Sequence, residues 1–119
     1  MIQEVHMAWL LHRATGGPDA TTIEDVVHWA TEGGARVLGL DGLGVLAPGK
    51  AADLAVYELG HPRYFGLHDP AVAPVVAGGS AHVRHLLMGG TPRVVNGAIP
   101  GLDLERLQAL AAEAVIRLR

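Results

Sequence analysis

Residues 42–59, GLGVLAPGKAADLAVYEL, constrain this chain more than any other stretch. Pro48 presets the first position of a tight turn and Gly49 supplies the positive φ of the second, so the run reads as a loop, a turn and then a strand over residues 52–59. The two alternating sets of that strand, Leu54 and Val56 against Ala55, Tyr57 and Leu59, are both apolar, which predicts cover on both faces. Lys50 and Asp53 are polar residues at the mouth of this apolar element. Asp53 is read as bonding turn backbone, and Lys50 as reaching into water.

The flanking segments read mostly as helices. Residues 1–13 carry Ile2, Val5 and Trp9 on one stripe, widened by Met7, Ala8, Leu10 and Leu11, so this helix wants cover on most of its circumference. Gly16-Gly17-Pro18 ends it. Thr21, with Glu24 three residues on, predicts a capping box for a second helix, in which Ile23, Val26, Val27 and Ala30 recur at helical spacing. Gly33-Gly34 is expected to stop that helix, leaving one further turn over residues 35–38. Beyond the central strand, residues 60–70 form a loop with Pro at its exit. Residues 71–77 suit a short helix or strand, limited by Pro74. Residues 81–88 and 91–95 are strands joined by the two-residue turn Gly89-Gly90, and Asn96-Gly97 makes a second such turn into a stub at residues 98–99. Asp103 caps a last helix with Leu104, Leu107, Ala111, Val115 and Leu118 on one stripe and Glu113 paired with Arg117 on its exposed side.

Composition narrows the function classes. With 119 residues, half of them hydrophobic but few aromatic, the chain suits one compact unit with a small aliphatic core, about two thirds of its unfolded surface being buried. The net charge of −3 and a single lysine leave no basic stripe for phosphates, so nucleic acid is not an expected partner. The absence of cysteine rules out disulfides and thiolate metal sites and fits a reducing compartment. No apolar run reaches the roughly 20 residues of a membrane span, and no secretory leader is evident, so a cytoplasmic location is expected.

Seven histidines invite a metal test. A zinc site needs three or four ligands converging on one ion, most readily from His four apart on a helix or two apart on a strand. His6 and His12 are six apart on a helix and diverge; His82 and His85 are three apart on a strand and face opposite ways. His28 lies opposite the apolar stripe of its helix. His61, His68 and Asp69 share a loop, where turn capping and packing are the expected roles over a metal site. Ser80 is the only serine and lacks a nucleophile elbow, and Gly42-Leu43-Gly44 is not followed by the helix a phosphate loop needs.

A likeness accounts for this scarcity. Gly33-Gly34-Ala35-Arg36, Leu38-Gly39, Gly44, Pro48-Gly49-Lys50 and Ala52-Asp53-Leu54, continued by His68-Asp69-Pro70, the hairpin over residues 83–95 and Asn96-Gly97, resemble the part of metal-dependent amidohydrolases that follows the barrel. Within the family the likeness is to aminohydrolases of purine-like and triazine rings, the 8-oxoguanine deaminase and hydroxyatrazine group. The resemblance implies an α+β chain. Residues 1–41 correspond to the closing helices of an incomplete TIM-like barrel, residues 42–102 to a partial β-sandwich and residues 103–119 to a C-terminal helix. It also implies that the family's divalent metal, zinc or iron, is held by a His-x-His pair, two further histidines and an Asp, all placed before the first residue of this chain. In the full enzyme that metal acidifies a water, which attacks a ring carbon bearing an amine and releases ammonia. No catalytic, cofactor-binding or metal-ligating residue is expected in this chain, which is then inactive by itself. Its expected partners are the missing barrel portion or further copies of itself. The alternative is a free-standing, non-catalytic oligomerisation or scaffold module.

Overall fold

The computed structural model describes residues 1–118. Among these, strands β1 (Leu54–Tyr57), β2 (Val83–Met88) and β3 (Thr91–Val95) form one antiparallel sheet in the order β1-β2-β3. The α-helices are α1 (Ile2–Gly16), α2 (Ile23–His28), α3 (Gly34–Val37), α4 (Ala73–Val76) and α5 (Leu104–Arg117). The class is α+β, as expected.

The core sits where α1, α2 and α4 meet. Val5, Val26 and Val75 are buried there, with Ile2, Ala8, Trp9, Ile23 and Ala30 packed against them. The stripe of Ile2, Val5 and Trp9 is thus the inward face of α1. Met7, Leu10 and Leu11, which widen that stripe, remain exposed. The helix runs to Gly16, where Gly17 at φ +93° turns the chain and returns its N–H to the Arg13 carbonyl at 3.0 Å.

Two expectations for the second helical segment are corrected. The capping box is one residue later than Thr21 and Glu24: Thr22 Oγ1 accepts the Asp25 N–H at 3.1 Å, and Asp25 accepts the Thr22 N–H at 2.9 Å. The reason is burial, since Thr21 is buried beside the core and is not free to cap. Gly33 and Gly34 also do not stop the helix. Residues Trp29–Gly33 take up an extra residue as a π-turn, and α3 follows without a break, burying Ala35. The stop is Gly39, at φ +67°, which donates to the Arg36 carbonyl at 3.1 Å. The loop after it comes in close: a Cβ on Gly44 would lie 2.6 Å from the Thr31 carbonyl carbon and from the Glu32 nitrogen.

The Pro48-Gly49 turn forms as read, with Gly49 at φ +81° and the Lys50 N–H donating to Ala47 at 3.2 Å. The strand after it is shorter than residues 52–59 and is covered only in part. Leu54 and Tyr57 are half-buried, whereas Ala55 and Val56 are exposed, because the described residues supply no second layer over the sheet. The connection from β1 to β2 carries a 3₁₀ turn, Pro62–Tyr64, and α4, whose first turn holds Pro74 where no backbone N–H is needed. Gly89 and Gly90, at φ +55° and +77°, give the β2–β3 hairpin its mirror-image turn. Asn96 and Gly97, at +50° and +78°, make another, after which Val95 and Ala98 exchange hydrogen bonds of 2.8 and 3.0 Å. Pro92 is tolerated in β3 because β3 is an edge strand. Asp103 caps α5 by accepting the Arg106 N–H at 3.0 Å, and no residue of α5 is buried.

The whole is more open than a domain of its mass. A compact 12.4 kDa monomer exposes about 6,100 Å²; this chain exposes 8800 Å². Its radius of gyration is 17.5 Å, against about 13.5 Å for a compact chain of this length. The expectation that about two thirds of the surface is buried therefore fails. One small helical core and a thin sheet cannot enclose so aliphatic a sequence.

Candidate functional site

The chemistry-bearing side chains of this chain are spent on holding the helices, the sheet and the loops together. His6, on the inward side of α1, has Nδ1 2.7 Å from the Val75 carbonyl and its ring beside Trp9, the centroids 6.1 Å apart. Gly78 passes so near that a Cβ there would lie 3.0 Å from His6 Nε2. His12, six residues on, instead meets the edge of Trp29 at 5.2 Å. The divergence read from their spacing thus sends one ring to α4 and the other to the segment after α2. His28 reaches Glu32 at 3.3 Å on the outer face, and Arg36 reaches the same carboxylate at 3.3 Å.

In the loop after β1, His61 Nδ1 accepts the Arg63 N–H at 3.2 Å and Asp69 Oδ1 accepts the Ala71 N–H at 2.8 Å. His68 is exposed. His82 is exposed and lies just before β2, which begins at Val83 rather than at residue 81, and His85 is half-buried on β2. Among the described residues no group of three or more His, Asp or Glu side chains is arranged to hold a metal ion. The donor set of a zinc hydrolase does not fit the residues described, so no hydrolytic step is assigned to them.

Two contacts at the sheet's end were not foreseen in full. Asp53 bonds turn backbone, as read, but the turn is that of the β2–β3 hairpin, where Oδ1 accepts the Gly89 N–H. The residue so fixes β1 to the hairpin tip. Arg63 was not singled out. Its Nη1 donates to the Ser80 carbonyl at 2.9 Å and the Gly78 carbonyl at 3.4 Å, tying the loop after β1 to the strand entry. The signal was in the sequence: Gly78-Gly79-Ser80 offers uncovered carbonyls, and Arg is the side chain suited to bind several at once.

A cleft of 660 Å³ runs along the sheet, floored by Val83, Val94 and Ile99 and walled by Glu58, His82, Arg84 and Asn96. Arg84 and Glu58 close one side as a half-exposed ion pair at 3.4 Å. The cleft holds no pairing of nucleophile and base. Tyr64, beneath the loop, is buried with a hydroxyl that has no partner among the described residues. Burial, and secondarily the nearby Tyr64, pushes the Tyr57 phenol above its ordinary value.

The model of the amidohydrolase family matches residues 1–93. An isoxanthopterin deaminase from an unknown prokaryotic organism is 47% identical over 130 residues, covering 97% of this chain and 27% of that protein. The 8-oxoguanine deaminase of Pseudomonas aeruginosa is 44% identical over 119 residues, covering 98% of this chain and 26% of its own length. Among solved structures, an amidohydrolase from a Sargasso Sea environmental sample superposes with a TM-score of 0.88 at 50% identity, over 99% of this chain and 27% of that one. A Xanthomonas campestris adenosine deaminase with bound zinc gives 0.89 at 30% identity, over all of this chain and 28% of its own. This chain spans about a quarter of the length of the relatives it matches.

Proposed function

Because the chain belongs to the amidohydrolase family, we propose that it is the closing portion of an aminohydrolase that removes an amine from a purine-like or triazine ring. The observation that carries this reading is the 47% identity that runs along 97% of this chain yet only 27% of a deaminase. Residues 1–41 then close a barrel, residues 42–102 contribute part of a β-sandwich, and the helix from residue 103 completes the fold. The metal, zinc or iron, belongs to the barrel portion, and this chain supports the site without ligating it. A chain free of cysteine suits a reducing compartment, and we read it as cytoplasmic. Among the described residues no helix is long and apolar enough to cross a membrane.

The test measures ammonia release from isoxanthopterin and 8-oxoguanine. The purified chain incubated with zinc and desalted is expected to retain no stoichiometric metal and to release no ammonia. Mixed with the remaining three quarters of the Pseudomonas relative, it is expected to yield activity that neither piece has alone. Turnover by the chain alone, with one zinc held per chain, would refute the reading.

A second reading is favoured by the surplus of surface. The chain exposes about 2,700 Å² more than a compact monomer, which exceeds the roughly 800 Å² per partner of an ordinary interface. In this reading the chain assembles with itself as a non-catalytic module. Light scattering that gives a monomer across the micromolar range rejects it.

A further inference from the structure

Asn96 is the only asparagine of the chain, a glycine follows it, and the two make the exposed turn after β3. From this turn we propose that Asn96-Gly97 is a self-modification site, at which Asn96 is converted to aspartate and isoaspartate at a rate set by opening of the turn. The Gly97 backbone nitrogen, once hydroxide has taken its proton, attacks the Cγ of the Asn96 carboxamide. The N–Cγ bond forms and the Cγ–Nδ2 bond breaks. Nδ2 takes a proton from water and leaves as ammonia, and a five-membered succinimide remains. Water then opens the ring at either carbonyl, which gives aspartate or isoaspartate. No reactant besides water is needed. Glycine suits the second position because no Cβ crowds the attacking nitrogen.

The folded turn holds this reaction back. The Gly97 N–H donates to the Arg84 carbonyl at 2.9 Å, so the nucleophile keeps its proton and is held toward β2. Val95 and Ala98 close the turn with hydrogen bonds of 2.8 and 3.0 Å. Asn96 sits at φ +50° and Gly97 at +78°; ring closure needs rotation of the backbone between them, which these bonds prevent. The lock is shallow. Beyond Val95 the sheet continues only as the single bridge to Ala98, and residues 96–100 are exposed, so opening here costs less than unfolding. The products do not restore the turn. A succinimide removes the Gly97 N–H and leaves the Arg84 carbonyl without its donor, and isoaspartate lengthens the main chain by one carbon, which a two-residue mirror-image turn does not accommodate. Either hydrolysed form adds a carboxylate to the cleft wall that already holds Glu58 and Arg84.

The test incubates the purified full chain in mildly alkaline buffer, folded and unfolded in urea, and follows peptide masses together with enzymatic methylation of isoaspartate. A one-dalton gain confined to the peptide that carries Asn96 is expected in both samples, about tenfold or more slower in the folded chain. Ala98→Pro removes the N–H that Ala98 gives to Val95 and is expected to speed the folded reaction, with hydrogen exchange reporting that the bridge has opened and that the core around Val26 has not. Urea below the unfolding transition makes the same comparison without a substitution. Asn96→Asp is expected to abolish the gain. Absence of the gain in the unfolded chain overturns the site. Equal rates in the folded and unfolded chains, or an opened bridge in A98P or in low urea without acceleration, overturns control by the turn. The ammonia released stops at one per chain and needs no added ring substrate, so each of these outcomes is separable from turnover by an aminohydrolase.

Discussion

At the scale of single residues, two positions decide more than their size suggests. Gly44 lies against the π-turn with its φ at +81° and with room for no side chain. Gly44→Ala combines a strained backbone with a clash against main-chain atoms that cannot step aside, and is expected to cost about 3 kcal/mol. Urea unfolding followed by circular dichroism reads this directly. Thr22 and Asp25 form the other decisive position. Thr22→Ala is expected to cost about 1 kcal/mol, and Thr21→Ala to act through packing instead. Asp25 has its carboxyl held below the ordinary range, first by the Thr22 backbone N–H and then by the Thr22 hydroxyl. Its folded pKa is thus below its unfolded one, so the stabilisation is present above a pH of about 4 and is lost as pH falls through the folded value. The difference in stability between the native chain and Asp25→Ala is expected to be constant near neutrality and to shrink on acidification, in a series of urea titrations from pH 7 to pH 2.5.

At the scale of elements, what the sequence made legible followed from local geometry. Gly89-Gly90 and Asn96-Gly97 demanded positive φ, and all four residues adopt it. Asp103 could reach only the N–H groups ahead of it, and it caps α5. The failures came where two local solutions competed and a distant contact chose between them. Thr21-Thr22 followed by Glu24-Asp25 offers two capping registers, and the burial of Thr21 selects the second. Gly33-Gly34 reads as a stop, yet the helix gains by continuing because Ala35 becomes buried and Gly44 packs against the turn before it. Of the candidate site, the divergence of the histidines was legible from their spacing. The roles of Arg63 and Asp53 in joining segments were not, since both depend on chain crossings at separations of 15 and 36 residues. Asp53→Ala is expected to free the Gly89 amide and to loosen the tip of the hairpin. Hydrogen exchange is expected to accelerate at Gly89 and its neighbours, with the core around Val26 unaffected.

At the scale of the whole molecule, the composition and the fold disagree in an informative way. Half of the residues are hydrophobic, yet only a few are buried, Val5, Val26 and Val75 clustering where three helices meet and Ala35, Tyr64 and Ala73 being buried besides. Val56 on the sheet, Leu46 in the central loop, Leu11 on α1 and the stripe of α5 all face outward. The strand pattern predicted cover on both faces, and this chain does not supply it, leaving Ala55 and Val56 exposed. The surplus of about 2,700 Å² over a compact monomer measures the discrepancy.

The contact between Gly44 and the π-turn bears also on how such chains recombine. Where the loop after α3 meets the π-turn, backbone lies on backbone at Gly44, so this seam tolerates little mismatch between parents. A chimera cut between residues 33 and 44 would marry one parent's turn to another's loop and inherit a misfit. Cut before residue 29 or after residue 44, the two halves of the seam travel together as one heritable cassette, and exchange between family members becomes a matter of matching surfaces.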